Sequence, residues 1–199
     1  MSTTEPVDPA GDASVPLEDD PRPDGLRSAD SLVLVNTGDG KGKSSAAFGV
    51  VMRAVAMEWS VAVVQFLKSG DWQVGEEKVA RQLGVQWQAM GDGFSWDSAD
   101  LEADKAIAAK AWNTAAALIA GGAHRLVVLD EITYPINWGW IDIDQVTSAI
   151  RDRPAKVNLV LTGRDAPEGL VEVADTVTEM VSVKHAYDDG IRAKKGIDY

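Results

Sequence analysis

Two short stretches of this chain carry residues whose types and spacing could do chemistry. In Asn36-Thr37-Gly38-Asp39-Gly40-Lys41-Gly42-Lys43-Ser44-Ser45, alternating glycines lead into Gly-Lys-Ser, between the apolar run Ser31-Leu32-Val33-Leu34-Val35 and the helical pattern opening Ala46-Ala47-Phe48. A strand, a glycine-rich turn and a helix in that order place backbone N–H groups and a helix N-terminus around phosphates, with Lys43 adding charge and Ser44 able to ligate Mg²⁺. The usual phosphate-loop spacing puts a glycine where Thr37 stands, and counted from Gly38 the loop is one residue short. Its nest of N–H groups therefore differs in shape from the ordinary one, which favours phosphate binding over routine ATP or GTP hydrolysis. The plainer alternative is a glycine-rich turn with incidental lysines.

Asp130 and Glu131 close the apolar run Leu126-Val127-Val128-Leu129. With Ser44 they could hold a magnesium ion, which takes hard oxygen ligands, or they could simply cap or pair at a strand end. Thr162-Gly163-Arg164 follows another apolar run, where Arg164 could reach a phosphate or pair with an acid. Of seven tryptophans, Trp72, Trp96, Trp138 and Trp140 fall in connections, joined by Phe94 and Tyr134. Tryptophans in loops point either to a broad, flat, partly apolar ligand or to packing and a subunit interface. His124 and His185 stand alone, without metal-ligand spacing, and read as surface or hydrogen-bonded histidines.

Positioning these residues requires alternating strands and helices. The patterns predict strands over 32–35, 61–66, 85–90, 125–130, 157–161 and 176–183. Helices are predicted over 43–58, with Gly49 allowing close approach to the sheet, and over 76–83. Others run from Asp97 or Ser98 to about 120, from Asp142 or Asp144 to about 151, and briefly after Pro167; residues 131–141 read as an aromatic loop, and 184–199 as polar without clear period. Continuous apolar strands interleaved with helices imply an α/β fold, a mostly parallel sheet with helices on both faces, with ligands bound beyond the carboxyl ends of the strands.

Composition sets the outer bounds. With 199 residues, 45% of them hydrophobic, one domain over 30–199 is expected. Residues 1–29 hold five of the eight prolines and many acids, and are predicted to be a disordered tail. The absence of cysteine excludes disulfides, thiolate metal sites and cysteine nucleophiles. No apolar run nears the roughly 20 residues that span a bilayer, so a cytoplasmic protein without a membrane partner is expected. Net charge is −12, against the basic face that nucleic-acid binding needs, whereas the local basic loop around Lys41 and Lys43 suits a small polyanion.

Taken together, these stretches resemble the P-loop type of ATP:corrinoid adenosyltransferase, the cob(I)yrinic acid a,c-diamide adenosyltransferase family. Besides the loop from Thr37 to Gly49, the resemblance is carried by Val64-Gln65-Phe66-Leu67-Lys68, Gly93-Phe94-Ser95-Trp96, Val128-Leu129-Asp130-Glu131-Ile132-Thr133-Tyr134 and Leu161-Thr162-Gly163-Arg164. The closing Val183-Lys184-His185-Ala186-Tyr187 and Gly196-Ile197-Asp198-Tyr199 belong to it as well. The resemblance implies a RecA-like P-loop NTPase fold, a homodimer, and transfer of the 5′-deoxyadenosyl group of ATP to the Co(I) of a corrinoid, cobalamin or a cobyrinic acid derivative, with release of triphosphate.

It further implies that Thr37, Gly38, Asp39, Gly40, Lys41, Gly42, Lys43, Ser44 and Ser45 wrap the triphosphate, with Arg164 beside them. Ser44 and Glu131, next to Asp130, would ligate Mg²⁺ or Mn²⁺. Lys43, Phe94 and Trp96 would serve catalysis, the two aromatics by holding the corrinoid with its lower axial ligand displaced, and a flavin-type donor would reduce Co(II). Family members often carry a basic N-terminal arm over the nucleotide, whereas here that segment is acidic. Two further readings stand beside this one: a RecA-like ATPase in which Glu131 polarises water, and a non-catalytic carrier of nucleotide or corrinoid.

Overall fold

The computed structural model describes residues 22–69, 75–91 and 101–198. The tail expected over 1–29 lies outside them as far as residue 21, as do Trp72, Phe94, Trp96 and the expected caps Asp97 and Ser98.

Six strands form one sheet: β1 (Val33–Thr37), β2 (Val61–Ser69), β3 (Gln86–Gly91), β4 (Leu126–Asp130), β5 (Asn158–Thr162) and β6 (Thr176–Glu179). Their order is β3-β2-β4-β5-β1-β6, and every pairing is parallel. The helices are α1 (Lys43–Ala56), α2 (Gly75–Gln82), α3 (Leu101–Gly121), α4 (Thr133–Asn137), α5 (Ile143–Arg151) and α6 (Glu168–Val173). Among the described residues no helix is long and apolar enough to cross a membrane.

Side chains alternate across a pleated strand, so each central strand feeds two cores. Val33 and Val35 of β1, Val64 and Phe66 of β2, Val127 and Leu129 of β4, and Leu159 and Leu161 of β5 face one way. They meet Trp112 and Ile119 of α3, Ile136 of α4, Val146 and Ile150 of α5 and Leu170 of α6. Val61, Val63, Leu126, Val128 and Val160 face the other way, against Ala47, Phe48, Val51 and Ala54 of α1 and Ala80 of α2. The Phe48 and Trp87 rings, 5.2 Å apart between centroids, close that second core.

Expected and observed elements agree in kind and order, with local differences. The loop expected after β4 contains α4, whose buried Thr133, Pro135 and Ile136 dock it on the larger core. Pattern reading missed it because a five-residue helix holds too few periods to show one. The last strand stops at Glu179, and it is exposed throughout because β6 is the edge of the sheet among the described residues. The closing segment, expected to be irregular, contains a 3₁₀ turn over Ala186–Asp189.

Gly49 corrects an expectation. It is exposed, and a Cβ built there meets nothing within 4 Å, so it does not serve close approach to the sheet. Gly163 is the glycine the packing requires: its φ is +143°, and an added Cβ would collide with the Thr133 side chain at the start of α4. We expect Gly163→Ala to cost about 1–3 kcal/mol through strain and overpacking. Gly49→Ala should instead stabilise by about 0.5–1 kcal/mol, as an exposed helix-interior glycine allows. Urea unfolding of both variants measures the two opposite signs.

Candidate active site

The carboxyl ends of the central strands carry one transverse row of polar residues on the α1 face. Asn36 of β1 is in register with Thr162 of β5, and Gln65 of β2 with Asp130 of β4. Two positions earlier on the same face the equivalent row is apolar, with Leu34, Val160, Val128 and Val63 in register. The sheet thus changes character in one step, from core to site.

Asp130 is the centre of this row and is fully buried. Its Oδ1 accepts from the Ser44 hydroxyl at 2.8 Å and from the Thr162 hydroxyl at 2.7 Å, while Oδ2 accepts from Gln65 Nε2 at 2.8 Å. Hydrogen bonds to both oxygens offset the cost of burying such a carboxylate. Because Ser44 gives its only hydrogen to Asp130, its lone pairs are left for another partner. The next residue, Glu131, turns out of the strand at φ +65°, and its N–H donates to Thr162 Oγ1 at 2.9 Å.

Between β1 and α1 the short loop is shaped by its glycines. Gly38 and Gly42 have φ of +91° and +119°. Gly38 and Gly40 also lie against the backbone of Met180, just beyond β6, where added Cβ atoms would come within 2.5 and 2.7 Å of its carbonyl oxygen. The Gly40 N–H donates to that oxygen at 2.6 Å, and the Met180 N–H donates to Thr37 C=O at 2.8 Å. One loop amide is therefore tied to the sheet edge rather than presented to an anion. Thr37 Oγ1 accepts from Ala166 N–H at 3.0 Å, anchoring the base of the loop.

Lys43 folds back over the loop, its Nζ donating to the Gly38 and Gly40 carbonyls at 2.7 Å each. Burial, and then the neighbouring Arg164 guanidinium, pull its ammonium below the ordinary value, against the opposing pull of Asp39 and Glu131. The first helical hydrogen bond runs from Ala46 N–H to Gly42 C=O, so the amides of Lys43, Ser44 and Ser45 precede the intrahelical ladder.

A cavity of about 250 Å³ opens above this loop, lined by Lys41, Gly42, Lys43, Ser44, Ser45, Phe48, Glu76, Glu131, Tyr134, Arg164 and Asp198. A second, of about 510 Å³, adjoins it through Lys41, Lys43 and Arg164 and is bounded by Asp39, Ser182, His185, Tyr187 and Asp188. Lys41 pairs with Asp198 at 2.5 Å, and Arg164 with Asp39 at 3.6 Å, so Arg164 meets both an acid and the two cavities. Burial and the Glu131 carboxylate push the Tyr134 hydroxyl up, which keeps it a neutral donor near neutral pH.

Most residues singled out in the sequence converge here: Asp39, Gly40, Lys41, Gly42, Lys43, Ser44, Ser45, Glu131 and Arg164 line the two cavities. Asp130 stands behind Ser44 with both oxygens engaged, and Thr37 and Gly38 form the foot of the loop. Phe94 and Trp96 lie outside the described residues. Tyr134, Trp138 and Trp140 form a contiguous ring cluster, with centroids 5.8 and 4.7 Å apart, and Tyr134 is its member at the cavity. His185 Nδ1 accepts from Tyr187 N–H beside the second cavity, and His124 lies away from both. Sequence reasoning missed Gln65, Thr162, Met180 and Asp198 as parts of the site. A polar residue near the end of each apolar strand was the available signal for the first two.

Comparison with known proteins agrees with this architecture. Residues 29–199 match the family described as ATP:corrinoid adenosyltransferase BtuR/CobO/CobP. A corrinoid adenosyltransferase of Pseudomonas aeruginosa is 45% identical over 175 residues, covering 87% of this chain and 86% of that one. Those of Escherichia coli and Salmonella typhimurium, the latter called CobA, are each 40% identical over 168 residues, covering 84% of this chain and 85% of theirs. Among solved structures, the flagellar accessory protein FlaH of Methanocaldococcus jannaschii superposes with a TM-score of 0.50 at 11% identity, over 76% of this chain and 71% of that one. That likeness bears on the fold alone, which is the RecA-like P-loop arrangement. With a short glycine loop beside a buried aspartate held by three donors, and with a family match that runs through every described strand and helix, the chain belongs to the ATP:corrinoid adenosyltransferase family.

Proposed function

We propose that this protein transfers the 5′-deoxyadenosyl group of ATP to the Co(I) centre of a corrinoid and releases triphosphate, in the making or salvage of adenosylcobalamin. The observation that carries this reading is the family match over residues 29–199, on a chain whose short loop, Lys43 and Ser44 converge on one cavity. Gly38 to Ser45 receive the triphosphate, with Arg164 at its flank.

The donor set fits a small hard cation. Among the described residues no group of three or more His, Cys, Asp or Glu side chains gathers as a metal cage. Mg²⁺ does not require one, because it is held by one or two protein oxygens together with substrate phosphates and water. Ser44, its hydrogen committed to Asp130, and Glu131 at the cavity would hold Mg²⁺ or Mn²⁺, with Asp130 fixing Ser44 from behind. Such an ion neutralises charge on the departing triphosphate.

Balance of the reaction explains why the site needs cations more than a base. The Co(I) electron pair forms the bond to C5′, the bond from C5′ to the triphosphate oxygen breaks, and its electron pair leaves with the phosphates. No proton moves, so no general base is required. Lys43 and Lys41 line the cavity that would receive the triphosphate, and there they would supply the electrostatic part of the barrier reduction. Phe94 and Trp96 hold the corrinoid with its lower ligand displaced, a flavin-type donor supplies the electron that reduces Co(II), and the protein works as a cytoplasmic homodimer.

With Mg-ATP and chemically reduced cobalamin, we expect adenosylcobalamin and triphosphate in equal amounts by chromatography. ADP and orthophosphate formed at a rate indifferent to corrinoid would instead identify an ATPase using Glu131. Tight binding of both ligands without a change in the cobalamin spectrum would identify a carrier. Lys43→Ala should lower kcat by roughly a hundredfold or more, the scale of losing one preorganised oxyanion contact. Trp96→Ala should lower turnover from Co(II)alamin about tenfold or more while leaving the Kd for ATP within about twofold. A matching loss of ATP binding would remove Trp96 from its assigned role.

A further inference from the structure

We propose that Thr162 is a positioning residue for the transfer: its hydroxyl fixes the backbone of Glu131, and so aims the Glu131 carboxylate at the cavity that receives the triphosphate and its cation. The inference rests on Glu131 being a cation ligand, as proposed above.

Thr162 is fully buried at the end of β5, the strand that separates the loop strand β1 from the acid-bearing strand β4. A hydroxyl has one hydrogen to give and two lone pairs to receive. Here the hydrogen goes to Asp130 Oδ1 at 2.7 Å, and the oxygen receives the Glu131 N–H at 2.9 Å. A carboxylate only accepts, so the direction of this relay is fixed: from the Glu131 amide to the Thr162 hydroxyl to Asp130. The same Asp130 oxygen receives the Ser44 hydroxyl. Ser44 and Glu131, the two cavity-lining side chains proposed above to hold the cation, are thus referenced to one buried atom, Ser44 directly and Glu131 through Thr162.

Glu131 needs such a hold. Its φ of +65° lies in the left-handed region, which a long-chain L-residue seldom adopts and keeps only where its surroundings secure it. Directly opposite a buried acid, a valine would fill the same space as Thr162 but could neither receive the Glu131 amide nor donate to Asp130. Ser44 and the loop would keep their own bonds. The loss should therefore fall on the cation-dependent steps and spare the affinity for metal-free ATP.

The full-length protein and its Thr162→Val and Thr162→Ser variants distinguish these roles. Mn²⁺ binding to the complex with ATP is followed by electron paramagnetic resonance, ATP binding in chelator by calorimetry, and exchange of the Glu131 amide by NMR. For Thr162→Val we expect Mn²⁺ affinity to fall about tenfold or more, the usual scale for losing a residue that orients a metal ligand. Metal-free ATP binding should stay within about twofold, and the Glu131 amide should exchange faster while amides of β1 and β4 keep their rates. Thr162→Ser should restore most of the Mn²⁺ affinity. Wild-type Mn²⁺ affinity in the valine variant, or equal damage in the serine variant, overturns the proposal. Should the valine variant not fold, a wild-type Glu131 amide that exchanges as freely as an exposed turn overturns it as well. Failure of the wild-type protein to form adenosylcobalamin would count against the proposed function, whereas normal product formation with an unaffected valine variant counts against this inference alone.

Discussion

The interaction on which the rest of the site depends is the three-donor hydrogen bonding of one buried carboxylate. Asp130 sits at the end of β4 with no exposure, and its two oxygens accept from Gln65 on β2, Thr162 on β5 and Ser44 on α1. Leaving such a charge without partners inside the protein would be costly, so the arrangement is close to all-or-none. Four elements are brought to a common reference by it. The residues above the sheet are then positioned from a row in which Asp130 is held by three donors on three different elements.

Electrostatically, the cavity is prepared differently for its several cations. Lys43 is pinned by two backbone carbonyls of the loop and is present in position before any ligand arrives. Lys41 and Arg164 are instead paired with the side chains of Asp198 and Asp39, both pairs being partly exposed to water. Exposed pairs of this kind contribute little and are readily exchanged for a better anion. Under the proposed function a triphosphate would meet one charge held by the loop itself and two that would have to leave their present carboxylate partners.

Much of this was legible in the chain. The glycine loop, Gly-Lys-Ser and the acid after an apolar strand point to one edge of the sheet, where the structure brings them together, because each of those features is local and dictated by backbone geometry. The parallel character of the sheet followed from continuous apolar strands. What could not be read was register. Gln65 and Thr162 stand in stretches that carry the family resemblance, but their place beside Asp130 in one row shows only once β2, β4 and β5 are aligned. Helix α4 escaped for want of length, and Gly49 was given a packing role because a helix pattern alone does not say how far its neighbour stands. Asp198 reaches Lys41 from the far end of the chain, through a contact that no local pattern encodes.

The contact between the loop and Met180 bears on how such a protein can be altered. Thr37 receives the Met180 amide and Gly40 gives its own amide to Met180, so the first half of the loop continues the β1–β6 pairing past the formal end of β6. Structurally it is as much a strand extension as a turn. A longer loop of the ordinary ATPase kind, grafted between Thr37 and Lys43, would therefore have to displace the chain after β6 as well. The loop and the sheet edge form one exchangeable unit, and engineering or divergence that changes one must carry the other with it.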